Sequence, residues 1–155
     1  MAAYFLDSSA LVKRYVAEPG SSRVIALVDP MAGNRIYLAH TTVVEVSAAI
    51  ARRVREGSLS IPLAQALRGK FFLDVAARFE LIYLDDQVVN RGVSLTERHP
   101  LRAADAIQLA AALTVNGDRM AHSLSNVVFI CSDQSLLKAA VAEGLATEDP
   151  AAQIP

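Results

Sequence analysis

The chain has 155 residues, 53% of them hydrophobic and 20% charged, with a mean hydropathy of +0.32 and a net charge of −1. That is enough apolar sequence for one domain over residues 1–155, and no apolar run approaches the roughly 18 residues of a membrane span. The start MAAYFLDSS lacks the basic and long apolar pattern of a secretory leader, and a lone Cys131 excludes an internal disulfide or a Cys/His zinc cluster, so the expectation is a cytoplasmic protein that does not engage a membrane.

Ala3 to Leu6 is a short apolar run carrying Tyr and Phe that ends at Asp7-Ser8-Ser9, the pattern of a buried strand followed by a helix cap. Ala10, Leu11, Val12, Tyr15 and Val16 mark a helix that stops near Glu18-Pro19-Gly20. Val24, Ile25, Leu27 and Val28 mark a second, ending at Asp29-Pro30 with Met31 to Asn34 as a turn. Ile36 to Ala39 reads as the next strand. Thr41 or Thr42 caps a helix that runs to Gly57 through Val43, Val46, Ile50 and Val54. Ser60 caps another, with Pro62 in its first turn and Leu63, Leu67, Phe71, Val75 and Phe79 inside. Leu81 to Leu84 is a third strand and Asp85 to Glu97 a helix. Leu101 to Val115 is a helix stopped by Asn116-Gly117-Asp118, and Val127 to Ile130 a fourth strand. A helix from Asp133 to Glu143 and a short last strand from Leu145 to Thr147 close the series. Short buried strands separated by helices specify an α/β fold with a parallel sheet covered on both faces, because parallel neighbours need crossovers. In such sheets ligands bind in the crevice at the carboxyl ends of the strands.

The acids near those ends carry the functional reading. Asp7 follows the first strand, Glu45 lies one turn into the helix after the second, and Asp133 follows the fourth. Asp105 sits in LRAADAIQLAAALTV, a segment that otherwise wants burial, where an ionised carboxylate costs several kcal/mol unless a cation meets it. Each has a plain alternative. Asp7 and Asp133 fit helix N-caps, Thr42-Val43-Val44-Glu45 fits a capping box, and Asp105 fits a surface pair with Arg102. Together, four like charges in one crevice are stable only around a cation, and an oxygen-only set selects a hard ion, Mg²⁺ or Mn²⁺. With those four acids set aside, the 15 Lys and Arg outnumber the remaining acids by three, so the scaffold can hold a polyanion. Lys13, Arg14, Arg52 and Arg53 are candidate phosphate contacts, with a solvated helix surface as the alternative for each. His40 and Cys131 fit structural roles.

FLDSSALVKRY, TTVVEVSAAI, LRAADAIQLAAAL, FICSDQSLL and TEDP, in this order and spacing, resemble the PIN-domain ribonucleases and especially the VapC toxins of toxin–antitoxin pairs. The resemblance covers nearly the whole chain. It implies a five-stranded parallel sheet ordered 3-2-1-4-5, metal-binding acids at Asp7, Glu45, Asp105 and Asp133, and neighbouring polar residues at Ser8 and Ser132. It also implies RNA as substrate, cleaved to a 5′-phosphate and a 3′-hydroxyl. Gln108 departs from the family, which often has His there. Two other readings stay open: an aspartyl-phosphate protein on Asp7, although Ser9 stands where haloacid-dehalogenase phosphatases have a second Asp, and a non-catalytic binding module. The helices from Thr42 to Phe79 carry more large apolar residues than one sheet face covers, which marks an interface. With the resemblance, this points to a homodimer that also binds a small antitoxin protein through an apolar helix and an Arg or Lys.

Overall fold

The computed structural model describes residues 2–152, so residue 1 and residues 153–155 of the expected 1–155 span lie outside the described residues. Five strands, β1 (Ala3–Leu6), β2 (Arg35–Ala39), β3 (Phe79–Ile82), β4 (Val127–Ile130) and β5 (Ala146–Glu148), form a parallel sheet in the order β3-β2-β1-β4-β5. Among the described residues seven helices cover it: α1 (Ser8–Leu11), α2 (Ser21–Leu27), α3 (Thr42–Arg55), α4 (Ile61–Arg78), α5 (Asp86–Arg98), α6 (Ala103–Ala121) and α7 (Gln134–Ala142). This is the α/β fold and the strand order that the resemblance implies.

The strand period of two divides the core. Phe5, Tyr37, Ala39, Val127 and Phe129 pack with α5, α6 and α7, while Leu6, Ile36, Leu38 and Ile130 pack with α1 to α4. Burial on both faces is why YFL, IYLA and VVFI read as unbroken apolar runs rather than alternating ones. β1 pairs with β2 on one side and β4 on the other, so the chain order reverses between β1 and β4 and a crevice opens at their carboxyl ends.

Three elements differ from their expected bounds. The helix carrying Asp105 starts at Ala103, not Leu101, and runs through Asn116-Gly117-Asp118 to Ala121. Asn116 does not break it because its Oδ1 accepts from Val127 N at 3.0 Å, fixing the entry to β4. Arg119, on the extra turn, is buried and donates to Ser125 O and the Tyr37 hydroxyl. β3 begins at Phe79, whose buried ring completes the α4 side of the core and whose backbone pairs with Ile36. The segment after Asp7 is one turn of α-helix followed by a 3₁₀ turn at Val12–Arg14.

The end of the described chain closes over the start of α2. Arg23 grips Glu148 through two hydrogen bonds of 2.6 and 2.9 Å. Gly20, at φ +90°, lies so close to Pro150 that a Cβ there would stand 2.5 Å from the Pro150 carbonyl oxygen. No helix among the described residues is long and apolar enough to cross a membrane.

Candidate active site

Asp7 leaves β1 at the crevice, its backbone N–H donating to Ile130 O of β4 at 3.1 Å. Its side chain caps α1, with Oδ1 accepting from Ala10 N at 3.0 Å, and the Ser9 hydroxyl lies 2.8 and 3.0 Å from the two carboxylate oxygens. The residue is 4% exposed. Burial raises its carboxyl pKa to about 6, against the opposing pull of hydrogen bonds from Ser9, Ala10 and Cys131. Ser9 Oγ also accepts from Ser132 N at 3.0 Å, tying the loop after β1 to the loop after β4.

Glu45 does not complete a capping box. Thr41 is the N-cap of α3 and makes no side-chain cap bond; Glu45 turns instead into the crevice, where Oε2 accepts from Ser8 Oγ at 2.6 Å and Oε1 from Gln108 Nε2 at 3.1 Å. Gln108, 1% exposed, also donates to Thr42 Oγ1 at 2.8 Å, so a neutral amide from α6 joins the two layers of helices across the sheet edge. Asp133 caps α7, its Oδ1 accepting from Leu136 N at 2.9 Å. Asp105 lies half-buried in the first turn of α6. Its carboxyl is pushed up by burial and by the charges of Asp133 and Glu45, while Arg102 draws it back. The alternative Arg102 pair is absent from the ion pairs of the described residues; Arg102 acts on Asp105 through its charge and, more weakly, through its backbone N–H.

Two cavities adjoin Glu45, Asp105 and Asp133, while the buried Asp7 lines neither. One, of about 420 Å³, is walled by Ser8, Ser9, Glu45, Arg52 and Arg55 over a floor of Val12, Ala48 and Ala49. The other, of about 440 Å³, is walled by Asp105, Asp133, Arg102, Leu101 and Ser135. Among the described residues Asp7, Glu45, Asp105 and Asp133 are in no ion pair, nor are the exposed Asp29, Glu56, Asp85, Asp86, Glu97 and Asp118 and the half-buried Asp149; Glu18, Asp74, Glu80, Glu143 and Glu148 are paired. At this sheet edge Asp7, Glu45 and Asp133 thus accept hydrogen bonds, and none of the four carboxylates has an internal cation.

Of Lys13, Arg14, Arg52 and Arg53, Arg52 alone lines either of these two cavities. Lys13 bonds Glu18 at 3.2 Å, Arg53 is paired with the same carboxylate, and Arg14 bonds Asp74 at 2.8 Å beside the Tyr15 hydroxyl. Ser132 donates to Asp149 Oδ1 at 3.2 Å, behind Asp133. His40 is exposed and stacks on Tyr83. Ser9 and Arg55 were not legible in the sequence. Arg53 and Arg55 lie about 80° to either side of Glu45 on a helical wheel, and only the packing of α1 against α3 decides which side faces the cavity.

Among the described residues no group of three or more Asp, Glu, His or Cys side chains is placed to hold a metal ion as it stands. The donor set nevertheless fits Mg²⁺ or Mn²⁺: it is all oxygen, and Mg²⁺ keeps several waters while binding through one or two carboxylates.

The model of the PIN domain matches residues 4–140. The fold is similar to FitAcB from Neisseria gonorrhoeae (20% identity, TM-score 0.62, 95% of this chain and 97% of that one). It is also similar to VapBC2 from Rickettsia felis bound to a DNA fragment from their promoter (13%, 0.63, 94% and 97%), and to a toxin–antitoxin complex from Klebsiella pneumoniae (15%, 0.60, 95% and 97%). No curated protein matches the sequence.

Proposed function

The chain belongs to the PIN-domain family, and on that premise we propose that it is a Mg²⁺- or Mn²⁺-dependent endoribonuclease, the cytoplasmic toxin of a VapBC-type toxin–antitoxin pair. The observation that carries this reading is the set of four carboxylates without an internal counter-ion at the crevice between β1 and β4. Asp7 and Asp105, the two whose carboxyls burial disfavours as anions, would hold the ion chiefly, with Glu45 and Asp133 supporting through waters. When bound, such an ion lowers the pKa of a water and offsets charge on the scissile phosphate. The protein's own part is orientation. Ser9 and the Ala10 N–H hold Asp7 in one rotamer, Ser8 and Gln108 hold Glu45, and the Leu136 N–H holds Asp133. Ser9, which stands where the aspartyl-phosphate alternative needs a second Asp, bonds the Asp7 carboxylate instead and supplies no second acid.

The fold neighbours described as toxin–antitoxin complexes support an antitoxin partner for this chain. So does a groove of about 260 Å³ between α3 and α4, walled by Ala51, Val54, Ile61 and Ala64 with Arg55 and Arg68 at its rim. Exposed Val44, Leu63, Phe72 and Leu73 on the same helices support a homodimer.

The test is incubation of the purified protein with total RNA and Mg²⁺, followed by mapping of new 5′ ends. New 5′-phosphate ends are expected with wild type, and a fall of at least a hundredfold with Asp7→Asn, Glu45→Gln and Asp133→Asn, each of which removes charge and little volume. Wild-type rates from any two of these variants under matched metal would overturn the site.

A further inference from the structure

The helix that carries Glu45 ends in Arg52, Arg53 and Arg55, and the fold treats them differently. Arg53 is paired with Glu18. Arg52 and Arg55 are exposed, are in no ion pair among the described residues, and stand on the cavity that ends at Ser8, Ser9 and Glu45. Arg102, just ahead of α6, is likewise exposed and in no such pair, and stands on the cavity that ends at Asp105 and Asp133. Ser9, which lines the first cavity, accepts from the backbone N–H of Ser132, the chain neighbour of Asp133, which lines the second. Resting on the ribonuclease reading above, we propose that Arg52 and Arg55 hold one backbone phosphate of the RNA and Arg102 holds another, so that the strand crosses the acid cluster from cavity to cavity.

The physical need is clear. A polyanion approaching four carboxylates is repelled, and cations placed on both sides of the acids lower that barrier and fix the strand's register. Guanidinium groups serve this purpose because they bind phosphate through two parallel hydrogen bonds. Seven residues of helix put Arg52 about 10 Å from Glu45, so the phosphate it takes neighbours the scissile one. Arg53, one position along the same helix and already paired, is the internal control. These arginines are positioning residues, remote from the reacting atoms.

The experiment measures kcat and KM, and binding by fluorescence anisotropy, for a labelled 12-nucleotide RNA between 50 and 200 mM salt. It compares wild type with R52Q/R55Q, R102Q, R53Q and R52K/R55K. R52Q/R55Q and R102Q are each expected to raise KM at least fivefold with kcat within twofold, and to lower the slope of log affinity against log salt by about 0.7, the value of one lost phosphate contact on a single strand. R53Q should leave the slope unchanged, and R52K/R55K should restore it because charge is kept. Unchanged slopes in R52Q/R55Q and R102Q, or an equal loss in R53Q, would overturn the proposal. Intact RNA after incubation with wild type would instead overturn the ribonuclease reading, and the anisotropy slopes would still judge whether these arginines meet phosphate.

Discussion

Asp7 is an ionisable group held where its charge is disfavoured. Its pKa is 3.8 in an unfolded chain and about 6 in the fold, raised by burial, so above pH 6 the folded state carries a penalty on the order of 3 kcal/mol. As pH falls from 6 to 4 the folded protein takes up the proton first and the penalty disappears; below about 4 both states are protonated. Asp7→Asn should therefore raise metal-free stability by about 1–3 kcal/mol at pH 7.5 and leave it unchanged at pH 3.5. Denaturant titration at the two pH values checks this, and a destabilised variant at pH 7.5 would show that the charged form is favoured by the fold. Asp74 shows the opposite case: burial would raise its carboxyl, but the Arg14 and Tyr15 hydrogen bonds and the charges of Arg14 and Arg78 outweigh that and hold it low. Gln108 gives Glu45 a donor whose strength does not change with pH, where a histidine would titrate.

At the scale of elements, α4 places two neighbouring aromatics in different worlds. Consecutive helical residues point about 100° apart, and Phe71 is fully buried against Tyr15 while Phe72 remains 48% exposed. With Phe72 as part of the proposed dimer face, sedimentation at micromolar concentration should find a dimer that Phe72→Glu converts to monomer. A monomer in both would remove the reason for an interface there. Strand positions were legible because buried parallel strands are short, apolar and β-branched or aromatic; β1 and β4 have the bounds that AYFL and VVFI imply. Helix ends were less so. Asn116-Gly117-Asp118 carries every local stop signal, and a tertiary bond from Asn116 to β4 overrides it. The four acids read as a candidate set because three follow strands and one lies in an alanine helix. The occupations of Lys13, Arg14 and Arg53 were not, because Glu18 and Asp74 reach them only through loop and helix packing.

For the whole molecule, the proposed ion acts as an inorganic cross-link between the two helical layers, since Glu45 belongs to the α1–α4 side and Asp105 and Asp133 to the α5–α7 side. Mg²⁺ or Mn²⁺ at a hundredfold excess over its dissociation constant should raise the melting temperature by roughly 5–10 °C, and Asp105→Asn should lose most of that response. Equal responses from wild type and variant in a thermal shift assay would exclude Asp105 as a ligand. The strand order has a consequence in time. β4, which lies between β1 and β5 and leads to Asp133, comes after β1, β2 and β3 in the chain although it pairs directly with β1. A chain that grows from its N-terminus at about 5–20 residues per second therefore keeps β1 as an open edge, with no complete crevice, until β4 has been made. On the nuclease reading proposed above, the acid cluster stays one member short until Asp133 has been made.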